Sequence, residues 1–232
     1  MLTILQARTS STRLPGKVLR DLVGAPMLER QIERVLRARR IGKLVVATST
    51  DPSDDPIAEL CDRLGVACHR GPLDDVLARF AGALEAFGPA DHIVRLTGDC
   101  PLTDPEVIDA TIARHLDAGA DYTSNTLKLT FPKGQDVEVM KAGRLAAAAR
   151  EAGDPYEREH VTPFLYRHPE RFRLANLERH PPLPELRWTV DTAEDFAFVS
   201  RVYQALYPAN PAFTSQDVLI LTGDDPPRGR EG

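Results

Sequence analysis

A chain of 232 residues with 42% hydrophobic and 27% charged residues can bury the core of one large α/β domain and is not composed like a disordered chain. Its formal net charge of −5 argues against nucleic acid or an anionic membrane surface as partner, and it contains no apolar run of about 18 residues to span a bilayer. The opening M-L-T-I-L-Q-A-R lacks the charged start and long apolar stretch of a signal peptide, and three cysteines without motif spacing (Cys61, Cys68 and Cys100) suit a reducing cytoplasm rather than a disulfide framework.

In chain order, residues 2–7 form an apolar run that predicts a buried strand. Residues 27–40 carry Met27, Leu28, Ile32, Val35 and Leu36 at helical spacing and predict an amphipathic helix. A strand over 43–49, a helix over 56–64 opened by Pro56, a strand over 66–69 and a helix over 75–87 follow. A strand over 92–96, a helix over 105–118 and a strand over 121–124 continue the alternation. Strands separated by helices of this length predict parallel βαβ units. The second half reads differently: a strand over 135–140, helices over 142–151 and 156–166, strands over 172–177 and 186–190, then helices over 192–206 and 214–221. The expectation is a single domain over 1–222, with 125–190 serving the acceptor and a dimer interface, and a disordered tail over 223–232. Phe131, Val137, Val139, Phe164 and Leu165 look like exposed apolar residues available to that interface.

Three stretches carry chemistry. Q-A-R-T-S-S-T-R-L-P-G-K, Gln6 to Lys17, follows the first strand, where open α/β sheets bind ligands. Arg8, Arg13 and Lys17, separated by small hydroxyl residues and flexible backbone, suit a triphosphate, although a solvated basic loop has the same composition. Neither G-x-x-x-x-G-K-S/T nor G-x-G-x-x-G is present. R-L-T-G-D-C-P, Arg95 to Pro101, puts Asp99 at a strand's carboxyl end, suited to a metal at the site edge or to turn chemistry. R-W-T-V-D-T-A-E-D, Arg187 to Asp195, puts Asp191 between a predicted strand and a helix, as metal ligand or as N-cap. If both strands end on one sheet edge, Asp99 and Asp191 can meet.

These motifs together resemble those of the acylneuraminate and KDO cytidylyltransferase family, and in particular its branch named for spore-coat polysaccharide biosynthesis protein F. R-G-P-L-D-D-V-L-A-R, Arg70 to Arg79, and Y-E-R-E-H-V-T-P-F-L-Y, Tyr156 to Tyr166, also match that branch, and the resemblance extends over residues 2–206. It implies a Rossmann-like, mostly parallel sheet of the nucleotide-diphosphosugar transferase type with helices on both faces, usually in a homodimer. It implies that CTP and a sugar acid give a CMP-sugar and pyrophosphate, with magnesium as the metal and manganese as a substitute. On this resemblance Gln6, Ala7, Arg8, Arg13, Lys17, Arg70, Thr97 and Asp99 bind the nucleotide, Ala7 through its backbone. Arg13, Lys17, Asp99 and Asp191 serve catalysis, the two aspartates as metal ligands. Apart from the resemblance, Glu138, Arg158 and His160 are the acceptor-binding candidates, Arg158 and His160 because they share a helix face; a surface ion pair is the other reading of Arg158. Gln6 stands where the sialic-acid and KDO enzymes have proline, which leaves the sugar open. A GT-A glycosyltransferase would carry D-x-D where this chain has G-D-C, and sugar 1-phosphate enzymes a G-x-G-T-R loop that is absent. A phosphonate acceptor and a non-catalytic nucleotide-binding role are the other readings.

Overall fold

The computed structural model describes residues 1–224, so the tail expectation falls mainly on residues outside the described ones. The first half alternates as its periodicity predicts: β1 (Leu2–Gln6), α1 (Met27–Val35), β2 (Lys43–Ser49), α2 (Asp55–Leu64), β3 (Ala67–Gly71), α3 (Val76–Phe87), β4 (His92–Thr97), α4 (Pro105–Ala118) and β5 (Tyr122–Ser124). The second half adds β6 (Glu138–Lys141), α5 (Ala142–Glu151), α6 (Pro155–His160), α7 (Pro163–Tyr166), β7 (Leu174–Asn176), α8 (Ala193–Leu206) and α9 (Ser215–Thr222).

The seven strands lie in the order β3-β2-β1-β4-β6-β5-β7. β1 pairs in parallel with both β2 and β4, and Gln6 stands in register with Ala47 on one side and Thr97 on the other. β6 enters antiparallel between β4 and β5, so the sheet is mixed but mostly parallel. Strand alternation splits the core in two. Leu5 and Val46 face α1, α2, α4 and α8, where Leu28, Ile32, Ile57, Ile108 and Val199 are buried. Leu2, Ile4, Val45 and Ala47 face α3, α5 and α7, packed around Phe80, Leu145 and Leu165. Helices therefore cover both faces.

Two expectations for the second half are corrected. The helix expected over 156–166 is two short helices, because Val161 takes φ 71° and Pro163 cannot continue α6. Residues 186–190 are not a strand of the sheet: their contact with β structure is one isolated bridge from Arg187 to Lys133. The apolar residues expected at an interface are core instead: Val137, Val139, Phe164 and Leu165 are buried, and Phe131, half-buried, packs against the cluster that holds the two valines.

Candidate active site

The loop after β1 is tied down by a buried carboxylate. Asp54, fully buried, accepts from the Thr9 amide at 2.7 Å and Thr9 hydroxyl at 2.8 Å through Oδ1. Its Oδ2 accepts from the Ser49 amide at 3.2 Å and Ser49 hydroxyl at 2.5 Å. Burial works to raise the Asp54 carboxyl, but the bonds from Ser49 and Thr9 outweigh it and hold it below its usual range. The strap fixes the start of the loop, and Gly16, at φ 69°, closes it with its amide on the Thr9 carbonyl.

Lys17 leaves that loop at a turn and projects across the strand ends. Its Nζ donates to the Val190 carbonyl at 2.6 Å, lies 3.1 Å from Asp191 Oδ1, and is 4.0 Å from Asp99 Oδ2. Arg13 joins the same Asp191 oxygen at 3.0 Å. Asp99 reaches this point directly after β4, where Gly98 lies so near β1 that a Cβ would come within 3.0 Å of the Gln6 carbonyl. Asp191 arrives by another route. The Val190 amide donates to the Asp99 carbonyl at 2.8 Å, and the Trp188 amide to the Lys133 carbonyl at 2.7 Å. Gly134, at φ 103°, lets that turn press on the segment: a Cβ there would meet Trp188 C at 2.7 Å. The helix cap is Thr192, whose capping box with Asp195 opens α8, so Asp191 is free of that duty. Partial burial works to raise the Asp191 carboxyl, but Lys17, Arg187 and Arg13 together hold it below the usual range.

These groups line a cavity of about 500 Å³ with Gln6, Ala7, Arg8 and Thr97. Ala7's own amide is committed to the Ala47 carbonyl, so another of its atoms has to meet a ligand. A second cavity of about 450 Å³ adjoins it and shares Arg95, Thr97, Asp136 and His160. Glu138 lines the second cavity with its acceptors engaged: it pairs with Arg95 and accepts from Tyr122 Oη and Thr162 Oγ1, both at 2.6 Å. His160 ends α6 just before the strained γ-turn at Val161, closed by the Thr162 amide on the His160 carbonyl at 2.8 Å.

Two expected site residues lie elsewhere. Arg70 donates to the Ser49 and Asp51 carbonyls and pairs with Asp55 at 2.7 Å, lining neither cavity. Arg158 is spent on Asp75 at 2.5 Å and on the carbonyls of Ala149 and Ala152, where it joins α3 to α5. Three cavity residues carry no distinctive sequence signal. Arg79 is 1% exposed with its Nε unpartnered. Arg95, which lines both cavities, donates to Gln6 Oε1 at 3.1 Å and pairs with Glu138. Asp136 is pushed up to about 6 by burial, with the charges of Asp99 and Glu138 adding to the effect and the Gly134 amide opposing it. Arg79 closes and Arg95 opens a motif already quoted, but only the folded neighbourhood gives them a role.

The donor set at the carboxylate pair is all oxygen, which fits a hard divalent cation that also takes phosphate oxygens and water. Among the described residues no group of three or more His, Cys, Asp or Glu is arranged to cage a metal. None of the helices among the described residues is long and apolar enough to cross a membrane.

Comparison with known proteins is consistent across sequence and structure. The family model described as Cytidylyltransferase matches residues 2–208. The spore coat polysaccharide biosynthesis protein SpsF of Bacillus subtilis (strain 168) is 37% identical over 100% of this chain and 97% of its own. A 3-deoxy-manno-octulosonate cytidylyltransferase of Anaeromyxobacter dehalogenans is 36% identical over 68% of this chain and 69% of its own. A solved cytidylyltransferase from Leptospira borgpetersenii serovar Hardjo-bovis superposes with a TM-score of 0.91 at 29% identity, covering 97% of this chain and 94% of that one.

Proposed function

This chain belongs to the cytidylyltransferase family, and from that premise we propose that it transfers CMP from CTP to a hydroxyl of an acidic, ulosonic-type sugar, releasing pyrophosphate for the synthesis of a surface glycan. The observation that carries the reading is the convergence of Arg13 and Lys17 with Asp99 and Asp191 on one cavity at the carboxyl ends of β1 and β4. A triphosphate needs such cations, and a metal bridging it to protein needs one or two such carboxylates.

In this mechanism the acceptor hydroxyl oxygen attacks the α-phosphorus in line. The new O–P bond forms as the bond from the α-phosphorus to the bridging oxygen breaks, and pyrophosphate leaves with that electron pair. Arg13 and Lys17 offset the charge growing on it, and Arg8, at the start of the same loop, binds the nucleotide. Asp99 and Asp191 are the residues that would hold magnesium, or manganese in its place, and the ion would supply Lewis-acid stabilisation of phosphate charge there. Asp136 takes the hydroxyl proton; among the described residues it is the carboxylate lining both cavities. The acceptor occupies the second cavity, near Lys133 and His160. Positioning and electrostatics do the work, with no protein nucleophile.

The proposed assembly is a twofold homodimer. Its support is Leu127, Leu129 and Tyr156, 40%, 49% and 44% exposed at the second cavity. A monomer by light scattering at micromolar concentration would remove it. The proposed location is the cytoplasm, in keeping with free Cys61, Cys68 and Cys100. Pyrophosphate release with CTP, UTP, ATP and GTP across a panel of sugar acids tests the function: CTP should be preferred and at least one ulosonic acid turned over. Equal or better use of UTP would overturn the assignment.

A further inference from the structure

We propose that in the nucleotide-free protein the Lys17 ammonium fills the position of the divalent cation, so that metal and nucleotide enter together by exchanging partners on a single oxygen of Asp191. The inference rests on the nucleotidyl-transfer reading above and concerns how its site is loaded.

The two oxygens of Asp191 are held differently. Oδ2 accepts from Arg187 Nη2 at 2.6 Å. Arg187 is itself anchored by Asp195 at 3.3 Å, and Asp195 accepts from the amides of Asp191 and Thr192, both at 2.9 Å. That oxygen is locked by contacts within eight residues of chain, closed by the cap of α8. Oδ1 is held only from across the cavity, by Lys17 at 3.1 Å and Arg13 at 3.0 Å. The same Lys17 nitrogen lies 4.0 Å from Asp99 Oδ2, so one ammonium rests against both carboxylates of the metal pair.

A divalent cation arriving alone would have to displace this ammonium, whose side chain is only 10% exposed and whose nitrogen is also bound to the Val190 carbonyl. Nothing compensates the displaced charge, because the metal brings no acceptor. A triphosphate does: its oxygens take the ammonium of Lys17 and the guanidinium of Arg13, whose side chain is 62% exposed and free to swing. Oδ1 is then released for the metal that the triphosphate carries, while Arg187 keeps the carboxylate aimed. Arg187 is thus a positioning residue, and Lys17 both blocks the site and later binds phosphate.

The test measures Mn2+ binding to the nucleotide-free full chain by electron paramagnetic resonance, with calorimetry as a second readout. Wild type should bind Mn2+ at least about tenfold more weakly than Lys17→Met, since removing the ammonium leaves the carboxylates uncompensated. Lys17→Arg should stay weak, because it keeps the charge. Adding Asp191→Asn to Lys17→Met should abolish the gain. If Lys17→Met does not fold, the more exposed Arg13→Met should show a gain of about two- to threefold in the same direction. Wild type binding Mn2+ as tightly as Lys17→Met, or as Arg13→Met where that variant stands in, would overturn the exchange. A protein that shows the exchange yet releases no pyrophosphate from CTP with any sugar acid would instead overturn the functional reading.

Discussion

Asp54→Asn isolates the strap that holds the loop after β1. The carboxylate receives four hydrogen bonds, two from Thr9 on the loop and two from Ser49 at the end of β2. An asparagine of the same shape can offer one oxygen. If that oxygen keeps Thr9, its amide nitrogen faces Ser49, whose hydroxyl can turn to accept but whose amide cannot. One buried N–H is then orphaned, at a cost of about 1–3 kcal/mol, and the two Thr9 bonds lose their charge assistance. A total of about 3 kcal/mol follows, or about 6–12 °C in Tm for a chain of this size. Urea unfolding of the nucleotide-free protein measures it. The pH dependence has a definite sign: the folded carboxyl sits below its unfolded value of 3.8, so its contribution is present above that pH and is lost as pH falls through the folded value. Calorimetry with CTP supplies the functional arm, where a loosened loop should weaken binding about tenfold or more. Unchanged stability together with unchanged CTP affinity would refute the idea that Asp54 holds the loop.

Three further outcomes are expected. Arg79→Met should lower nucleotide affinity while leaving stability equal or raised, because it deletes a buried cation with an unpartnered Nε; calorimetry and thermal melts check the two arms. Asp136→Asn should be more stable than wild type at pH 8, by at most about 3 kcal/mol, and equal to it near pH 4, in metal-free buffer. The sign follows from a folded value near 6 against 3.8 unfolded: the stability due to the protonated form is full below 3.8 and is lost as pH rises through 6, so a urea series across pH 4–8 showing no divergence counts against it. Asp99→Asn and Asp191→Asn should each remove most turnover, and the double variant should lose less than the product of the two, as expected for residues serving one ion; strict multiplicativity in steady-state rates would separate their roles.

The first half of the fold was legible because each element carries its own period. β1, β2 and β4 are short apolar runs, and α1 and α3 carry apolar residues at helical spacing. Ends were less legible. The helix expected to reach residue 40 stops at Val35, and Leu36, assigned by spacing to the buried face, is 53% exposed. In the second half the local signal was real but its partner was not encoded locally. Residues 186–190 are extended and bury Trp188 and Val190, as a strand would, yet they bond to the Lys133 turn and to Asp99 rather than to a sheet edge. Val137 and Val139 alternate like a half-exposed strand, but β6 is central, covered on both faces, and both valines are buried. Pro163 was a visible break in the expected 156–166 helix and outweighed the surrounding helical pattern.

The same distinction governs the site. Arg13, Lys17, Asp99 and Asp191 lie in motifs that mark strand ends, and chain topology alone brings the loop after β1 beside the end of β4. Asp191 joins them by a route that strand logic did not contain, through the Val190 amide on the Asp99 carbonyl. Arg70 and Arg158 sit in equally suggestive motifs but turn to Asp55 and Asp75, because a cation takes the nearest carboxylate the fold supplies. Sequence cannot rank such partners. Arg95 shows the converse: an arginine inside a strand reads as a solvent-facing residue, yet its register opposite Glu138 across an antiparallel pair gives it an ion pair between two cavities. That register depends on β6 running against β4, a property of the assembled sheet that no window of either strand contains.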